Sequence, residues 1–231
     1  MISSGLSGVA FTSFDIGGAK TASGMKIADE ASIFIRSLQI AAFSSSMLTA
    51  GEGNKMPYDF MDIEQTDRRG NTLYDEEGNP LTYGYVTELY KAYAMLHEVL
   101  APYISECANE AETLGLPVVR HLVLQFAADT KVHNMNDQYM LGDAFLVAPM
   151  VPTESKFNKK RDIYLPAGKW TNLLTGETVT VPAGGKTLTD YAVSEQQIPV
   201  FFNENTTSSV AKEIKDDVKS MLDYAASIPL S

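Results

Sequence analysis

The residue best placed for chemistry is Asp15. It closes a short apolar run, Val9 to Phe14, and is followed by Ile16-Gly17-Gly18. A carboxylate at the C-terminal end of a buried strand is where an α/β barrel carries substrate-contacting groups. The same carboxylate could instead satisfy backbone N–H groups at the start of a loop, and position alone leaves both open. Other acids, Glu52, Asp59, Asp62 and Glu64, cluster in a loop where they line a site or are solvated, and solvation is the simpler reading. His97, His121 and His133 are too far apart in sequence for zinc-ligand spacing, and each is read as structural. Cys107 is the single cysteine, so no internal disulfide or cysteine cage is possible, and its spacing on an apolar helix face reads as packing. Trp170 follows a turn, where an exposed ring could stack on a ligand, and Tyr90, Tyr93 and Tyr103 read as helix packing. No Gly-rich phosphate loop and no nucleophile elbow occurs. The sequon Asn205-Thr206-Thr207 carries little weight without a secretory signal.

The elements that must position these groups follow from composition and periodicity. With Lys+Arg 18 against Asp+Glu 29, the net charge of the 231 residues is −11. The one basic cluster, Lys159-Lys160-Arg161, reads as a solvated turn, so a nucleic-acid partner is not expected. No run reaches the roughly 18 apolar residues of a membrane helix, and the first segment lacks a positively charged start. No membrane partner is therefore expected, and a cytoplasmic location is favoured. The chain contains no internal repeat or low-complexity tract.

Val9–Phe14 predicts a buried strand. A helix follows from Asp29 as N-cap to about Phe43, then an irregular stretch over 47–82. The clearest helix runs from about Tyr83 to Thr113, kinked at Pro102 and ended by Gly115. Val118 to Phe126 alternates as a strand. Beyond a boundary near 127–137, short apolar runs separated by turns predict an antiparallel sandwich: 139–141, 145–147, 163–165, 170–174, 179–181 and 198–202. Residues 206–231 form an amphipathic helical tail, expected to pack on that sandwich.

The strings GLSGVAFTSFDIGG (5–18), RSLQIAAFSSSM (36–47), LHEVLAPYISECANEAETLGLPVVRHLVLQF (96–126), DQYMLGDAFLVAPM (137–150), YLPAGKWTNLLTGE (164–177) and IPVFF (198–202) resemble successive landmarks of glycoside hydrolase family 31, in the family's order. The resemblance implies a retaining α-glycosidase, with transglycosidases and lyases as family variants. It also implies a fold class of an incomplete (β/α)₈ barrel end, residues 1–130, followed by an all-β sandwich, residues 135–205. Retaining hydrolysis needs two carboxyl groups about 5 to 5.5 Å apart. In the family both lie before the GLSG segment, in a Trp-x-Asp-Met-Asn-Glu-like and a Gly-Asp-Asn-like motif. Neither motif occurs in this sequence, so no catalytic residue is assigned. The chain alone is expected to be inactive and poorly stable, the C-terminal part of an enzyme.

Within that part, Asp15 matches the family aspartate of the S/A-D-I-G-G motif, near the sugar of the −1 subsite. Two departures stand out. An aromatic residue is replaced by Ala19, and the Met/Phe-Arg-x-His-Gly segment reads Met47-Leu48-Thr49-Ala50-Gly51. Ala50 thus occupies the position of a sugar-binding histidine, and Leu48 that of the arginine. The resemblance then implies a pocket with room for a bulkier substituent, such as a 2-acetamido group, rather than an ordinary α-glucosidase. No metal or organic cofactor is implied. The implied partners are an α-glycoside substrate and the missing N-terminal part as a separate chain. The alternative is a non-catalytic, subunit-like or carbohydrate-binding piece.

Overall fold

A computed structural model describes residues 1–17, 25–49, 55–67, 69–150 and 160–230. The chain opens with a five-residue helix, α1 (Ile2–Leu6), and reaches the strand β1 only at Phe14–Asp15. The expected buried strand is thus corrected in both length and burial. Val9, Phe11 and Phe14 are exposed, Phe11 by 57%. Helix α2 (Ile27–Ala42) begins two residues before Asp29, which sits in the first turn with Glu30 and there faces the positive end of the helix dipole. It leads to β2 (Met47–Leu48), which pairs parallel with β1, Phe14 opposite Met47 and Asp15 opposite Leu48. Two parallel neighbours joined by a helix make a β–α–β unit, since a tight turn cannot return the chain to a parallel start.

The stretch expected to be irregular is ordered by an internal repeat that the sequence reading missed. Asp67-Arg68-Arg69-Gly70-Asn71 and Asp75-Glu76-Glu77-Gly78-Asn79 lie eight residues apart. In each, the aspartate accepts from the backbone N–H and the side-chain amide of the asparagine four residues on. These bonds hold both carboxylates below their usual range. Gly70 and Gly78 both take φ +87°, which a residue with a Cβ rarely adopts. The turns stack three segments on one another: Gln65 donates to Leu81, Leu81 to Leu73 and Leu73 to Gln65, at 2.8 to 2.9 Å. The Gln65 side chain anchors this prism by donating to the carbonyls of Thr82 and Leu230.

Helix α3 (Tyr85–Leu114) runs its full length through Pro102 and ends as expected, with Gly115 left-handed at φ 70°. The expected strand 118–126 is corrected to β3 (Val119–Arg120) followed by a short 3₁₀ turn, Leu122–Leu124. His121 explains the change, because its Nδ1 accepts the Val123 N–H at 3.1 Å and turns the backbone out of the ladder.

The strands β4 (Tyr139–Leu141), β5 (Phe145–Val147), β6 (Lys160–Leu165), β7 (Gly168–Asn172), β8 (Thr178–Val181), β9 (Lys186–Ala192) and β10 (Val200–Asn203) complete the sheets. Five of them join β3 in one sheet of order β3-β4-β5-β10-β7-β8, while β6 and β9 pair antiparallel as a second. Alternation sorts the large sheet into two buried faces. Met140, Leu146, Trp170 and Phe201 share a core with Ile163 and Leu165 of the small sheet, which makes the sandwich. Tyr139, Leu141, Phe145, Val147 and Phe202 face the other way, into a core shared with α2 and α3.

Helix α4 (Ser209–Ser227) is the amphipathic tail, capped by Ser208 Oγ on Ala211 N–H at 2.9 Å. Its buried Ala211, Val218, Leu222 and Ala225 belong to that helix-side core. The tail therefore packs mainly against α3 within the helical layer, and through that shared core it also meets the large sheet, with Lys215 over the Phe202 ring. Of the basic cluster, Lys159 lies outside the described residues, while Lys160, exposed, and Arg161 belong to a strand and not a turn. They open β6, and the Arg161 guanidinium bonds the carbonyls of Asp137 and Pro149 and the Asp137 carboxylate.

A buried polar clasp joins α2 and α3 to the segment before β10. Arg36 donates to the carbonyls of Gln197 (2.8 Å) and Ser194 (3.4 Å) and to Gln39 Oε1 (2.9 Å). Gln39 donates to the Glu195 carbonyl, and Tyr93 Oη to that of Gln196. Replacing Arg36 with methionine keeps the volume and strips these acceptors of their donor. An unsatisfied buried acceptor costs about 1–3 kcal/mol, so the variant should lose about 2–3 kcal/mol in urea denaturation. Amide exchange should rise selectively at 194–197, and unchanged stability would show that water replaces the guanidinium without cost.

Candidate functional site

The β–α–β unit decides where Asp15 sits. Ile16, buried at 1% exposure, inserts into the core behind the strand pair, and its N–H bonds the Leu48 carbonyl at 2.9 Å. Gly17 then turns with φ +83°, and its N–H donates to Ser37 Oγ of α2 at 2.7 Å. A Cβ on Gly17 would meet the Phe34 ring at 3.2 Å, so the second position after Asp15 is restricted to glycine by both backbone and packing. Asp15 is thereby held at the C-terminal end of β1, exposed, with its carboxylate making no hydrogen bond to a described residue.

Leu48, exposed at 44%, lies at the same end of the neighbouring strand as the register partner of Asp15. The structure thus brings together Asp15 and the β2 end that carries the second departure. Ala50 itself, with Ala19 and Glu52, lies outside the described residues. Thr49 contacts Tyr90 of α3 through their hydroxyls at 3.0 Å, which ties the strand end to the helix.

The remaining candidates resolve into local roles. Asp59 accepts the Met56 N–H at 2.7 Å and Glu64 accepts from Thr72 Oγ at 2.7 Å, both on the surface. Asp62 is exposed. His97 Nδ1 meets the Ala42 carbonyl and His133 Nε2 that of Ala127. Burial pushes the Cys107 thiol up to about 12, the behaviour of an inert core cysteine. Trp170 is fully buried, its indole N–H donating to the Pro166 carbonyl at 2.8 Å. Among the described residues no group of three or more His, Cys, Asp or Glu could hold a metal ion. Sequence reasoning missed Ser37, which positions the turn after Asp15. The available signal was polar Arg36-Ser37 and Gln39 inside an otherwise apolar helix face, a pattern that marks buried hydrogen bonding.

His121 supplies a pH dependence. Its burial, together with the charge of His133, lowers its pKa, and protonating Nδ1 would set a donor against the Val123 N–H. The unfolded chain, with an ordinary histidine near about 6.5, then binds the proton more readily than the folded one. The stabilisation is full above about pH 6.5 and is lost as pH falls through the lower folded value. His121→Asn retains an N-cap acceptor and should flatten the fall in melting temperature between about pH 7 and pH 5. An equally steep fall in the variant would assign the effect to other groups.

The described residues thus form a β-sandwich with a helical layer, preceded by a parallel β–α–β unit that bears Asp15 at its strand ends. Residues 115–207 match the family model described as the glycosyl hydrolase family 31 C-terminal domain. The chain is 30% identical over 227 residues to α-xylosidase XylQ of Lactiplantibacillus pentosus, covering 97% of this chain and 25% of that protein. It is 32% identical over 189 residues to the sulfoquinovosidase of Agrobacterium fabrum, covering 81% of this chain and 24% of that one. A family 31 sulfoquinovosidase from E. rectale, solved with an aza-sugar inhibitor, superposes with a TM-score of 0.67 at 25% identity, over 95% of this chain and 28% of that one. The chain belongs to glycoside hydrolase family 31. It spans about a quarter of the length of these curated relatives.

Proposed function

We propose that the chain is the C-terminal part of a retaining α-glycosidase, in which residues 1–130 are the last units of a (β/α)₈ barrel and residues 135–205 the sandwich behind it. The observation that carries this reading is the open β–α–β unit. Among the described residues strand β1 pairs only with β2, and its other edge has no partner there. Leu6, Val9, Phe11, Phe14 and Leu48 add exposed apolar side chains on and around this unit. Parallel strands are normally buried on both faces, and an exposed apolar group of this kind marks a surface made for contact. Preceding barrel strands, within one polypeptide or as a separate chain, would cover it and bring the two catalytic carboxylates to the strand ends beside Asp15. The chain alone is then inactive, and Asp15 accepts hydrogen bonds from sugar hydroxyls.

The finer reading is a pocket widened at Ala50, with room for a substituent such as a 2-acetamido group. It is supported by the small side chain where the family pattern has histidine. The test is to supply the preceding barrel strands and assay aryl α-xylosides, α-glucosides and α-N-acetylgalactosaminides. Turnover with the strands present and none without them supports the glycosidase reading. Turnover of the α-glucoside but not the acetamido sugar sinks the widened pocket. No turnover of any α-glycoside favours the non-catalytic, carbohydrate-binding alternative.

A further inference from the structure

We propose a second saccharide site, away from Asp15, in the cleft of about 630 Å³ between the second of the two turns, residues 74–82, the first turn of α3 and Ile228-Pro229. Its floor is the stacked prism, a platform whose three segments are mutually hydrogen-bonded and whose anchor, Gln65, reaches the Leu230 carbonyl. Rigid support of this kind lowers the entropic cost of binding. On it stands Tyr74, 60% exposed, with no part in either core. The buried tyrosines have folding roles, as Tyr93 bonds the Gln196 carbonyl and Tyr103 the β4–β5 corner, whereas Tyr74 has none visible.

The chemistry around the ring selects the ligand. Pro80, Tyr85 and Pro229 add apolar walls, and Glu77 and Glu88 make no ion pair with a described residue. Among the described residues no Lys or Arg lines the cleft. A pyranose fits this mixture, since the C–H face of the sugar packs on an aromatic ring while its hydroxyls donate to carboxylates. Anionic sugars are repelled by the same carboxylates. The choice of a neutral α-linked saccharide over an organic cation rests on the glycosidase reading. The cleft's geometry does not.

The test is an NMR titration of the isotopically labelled 231-residue chain with maltotriose, and separately with spermidine. Saturable shifts at the amides of Tyr74, Glu77 and Glu88, with a Kd of about 1–10 mM, are the expected result. Tyr74→Ala should weaken this binding at least about tenfold without lowering the melting temperature, while Asp15→Ala leaves it unchanged. Response to spermidine alone would overturn the proposal, leaving a merely acidic surface. Silence at Tyr74 with shifts beside Asp15 would also overturn it, and would leave the glycosidase reading standing. Binding at Tyr74 in a completed protein without turnover would sustain the site while removing the enzyme reading.

Discussion

Gly142→Ala should destabilise the chain by more than about 4 kcal/mol, the range reserved for substitutions that break a packed core. Gly142 makes the corner between β4 and β5 with φ +56°, and a methyl group there would lie 2.5 Å from Cys107 Sγ and closer still to the Tyr103 hydroxyl. Neither neighbour has room to yield. The Tyr103 hydroxyl accepts the N–H groups of Asp143 (2.8 Å) and Ala144 (2.9 Å) and donates to Asp143 Oδ1 at 3.0 Å, while its ring meets Phe145 edge-on at 5.4 Å. Asp143 in turn accepts from Thr206 Oγ and the Thr207 N–H, so the corner also holds the approach to α4. Shifting Tyr103 would leave buried N–H groups unpaired, each costing about 1–3 kcal/mol. Gly78→Ala is the control, because its φ is +87° but nothing lies within 4 Å of the added Cβ. It should lose about 1 kcal/mol from backbone strain alone. Urea denaturation of the two variants separates the effects, and a Gly142→Ala loss as small as that of the control would mean that the corner repacks freely.

On the proposed glycosidase reading, Asp15→Ala in the protein supplied with its preceding barrel strands should lower kcat/KM about 100-fold. That corresponds to about 2.7 kcal/mol, the worth of one or two hydrogen bonds from sugar hydroxyls to a charged acceptor. The stability of the 231-residue chain should change by less than about 0.5 kcal/mol, since the carboxylate is exposed and bonds no described residue. Asp15→Asn keeps an acceptor without the charge and should fall between the two. A kcat/KM within about threefold of the parent would remove Asp15 from the sugar site. A large loss of stability would instead support the loop-capping role.

Where the signal was local, the sequence was legible. Helices α2, α3 and α4 announce themselves because a 3.6-residue apolar stripe needs only one covered side, and Gly115 ends α3 because a left-handed residue favours glycine. The runs 139–141 and 145–147 read as strands but not as central ones. Their alternate side chains enter two different cores, so every residue is buried and the alternation disappears. Strand β9 was missed for the opposite reason, being largely exposed. The alternation of 118–126 misled because one side-chain bond from His121 outweighed it.

The amino-acid sequence by itself determined the family, the helices, the turn glycine after Asp15 and the absence of both catalytic motifs, since each rests on residue identity or on contacts a few positions apart. Only the tertiary structure decided that Asp15 and Leu48 share one strand end, that the tail closes the helical layer against α3, and that Arg36 clasps residues 194–197 from about 160 positions away. Such arrangements depend on which faces remain uncovered after the local elements have formed. Burial and hydrogen bonding across the whole chain settle that, and no short window of sequence records it.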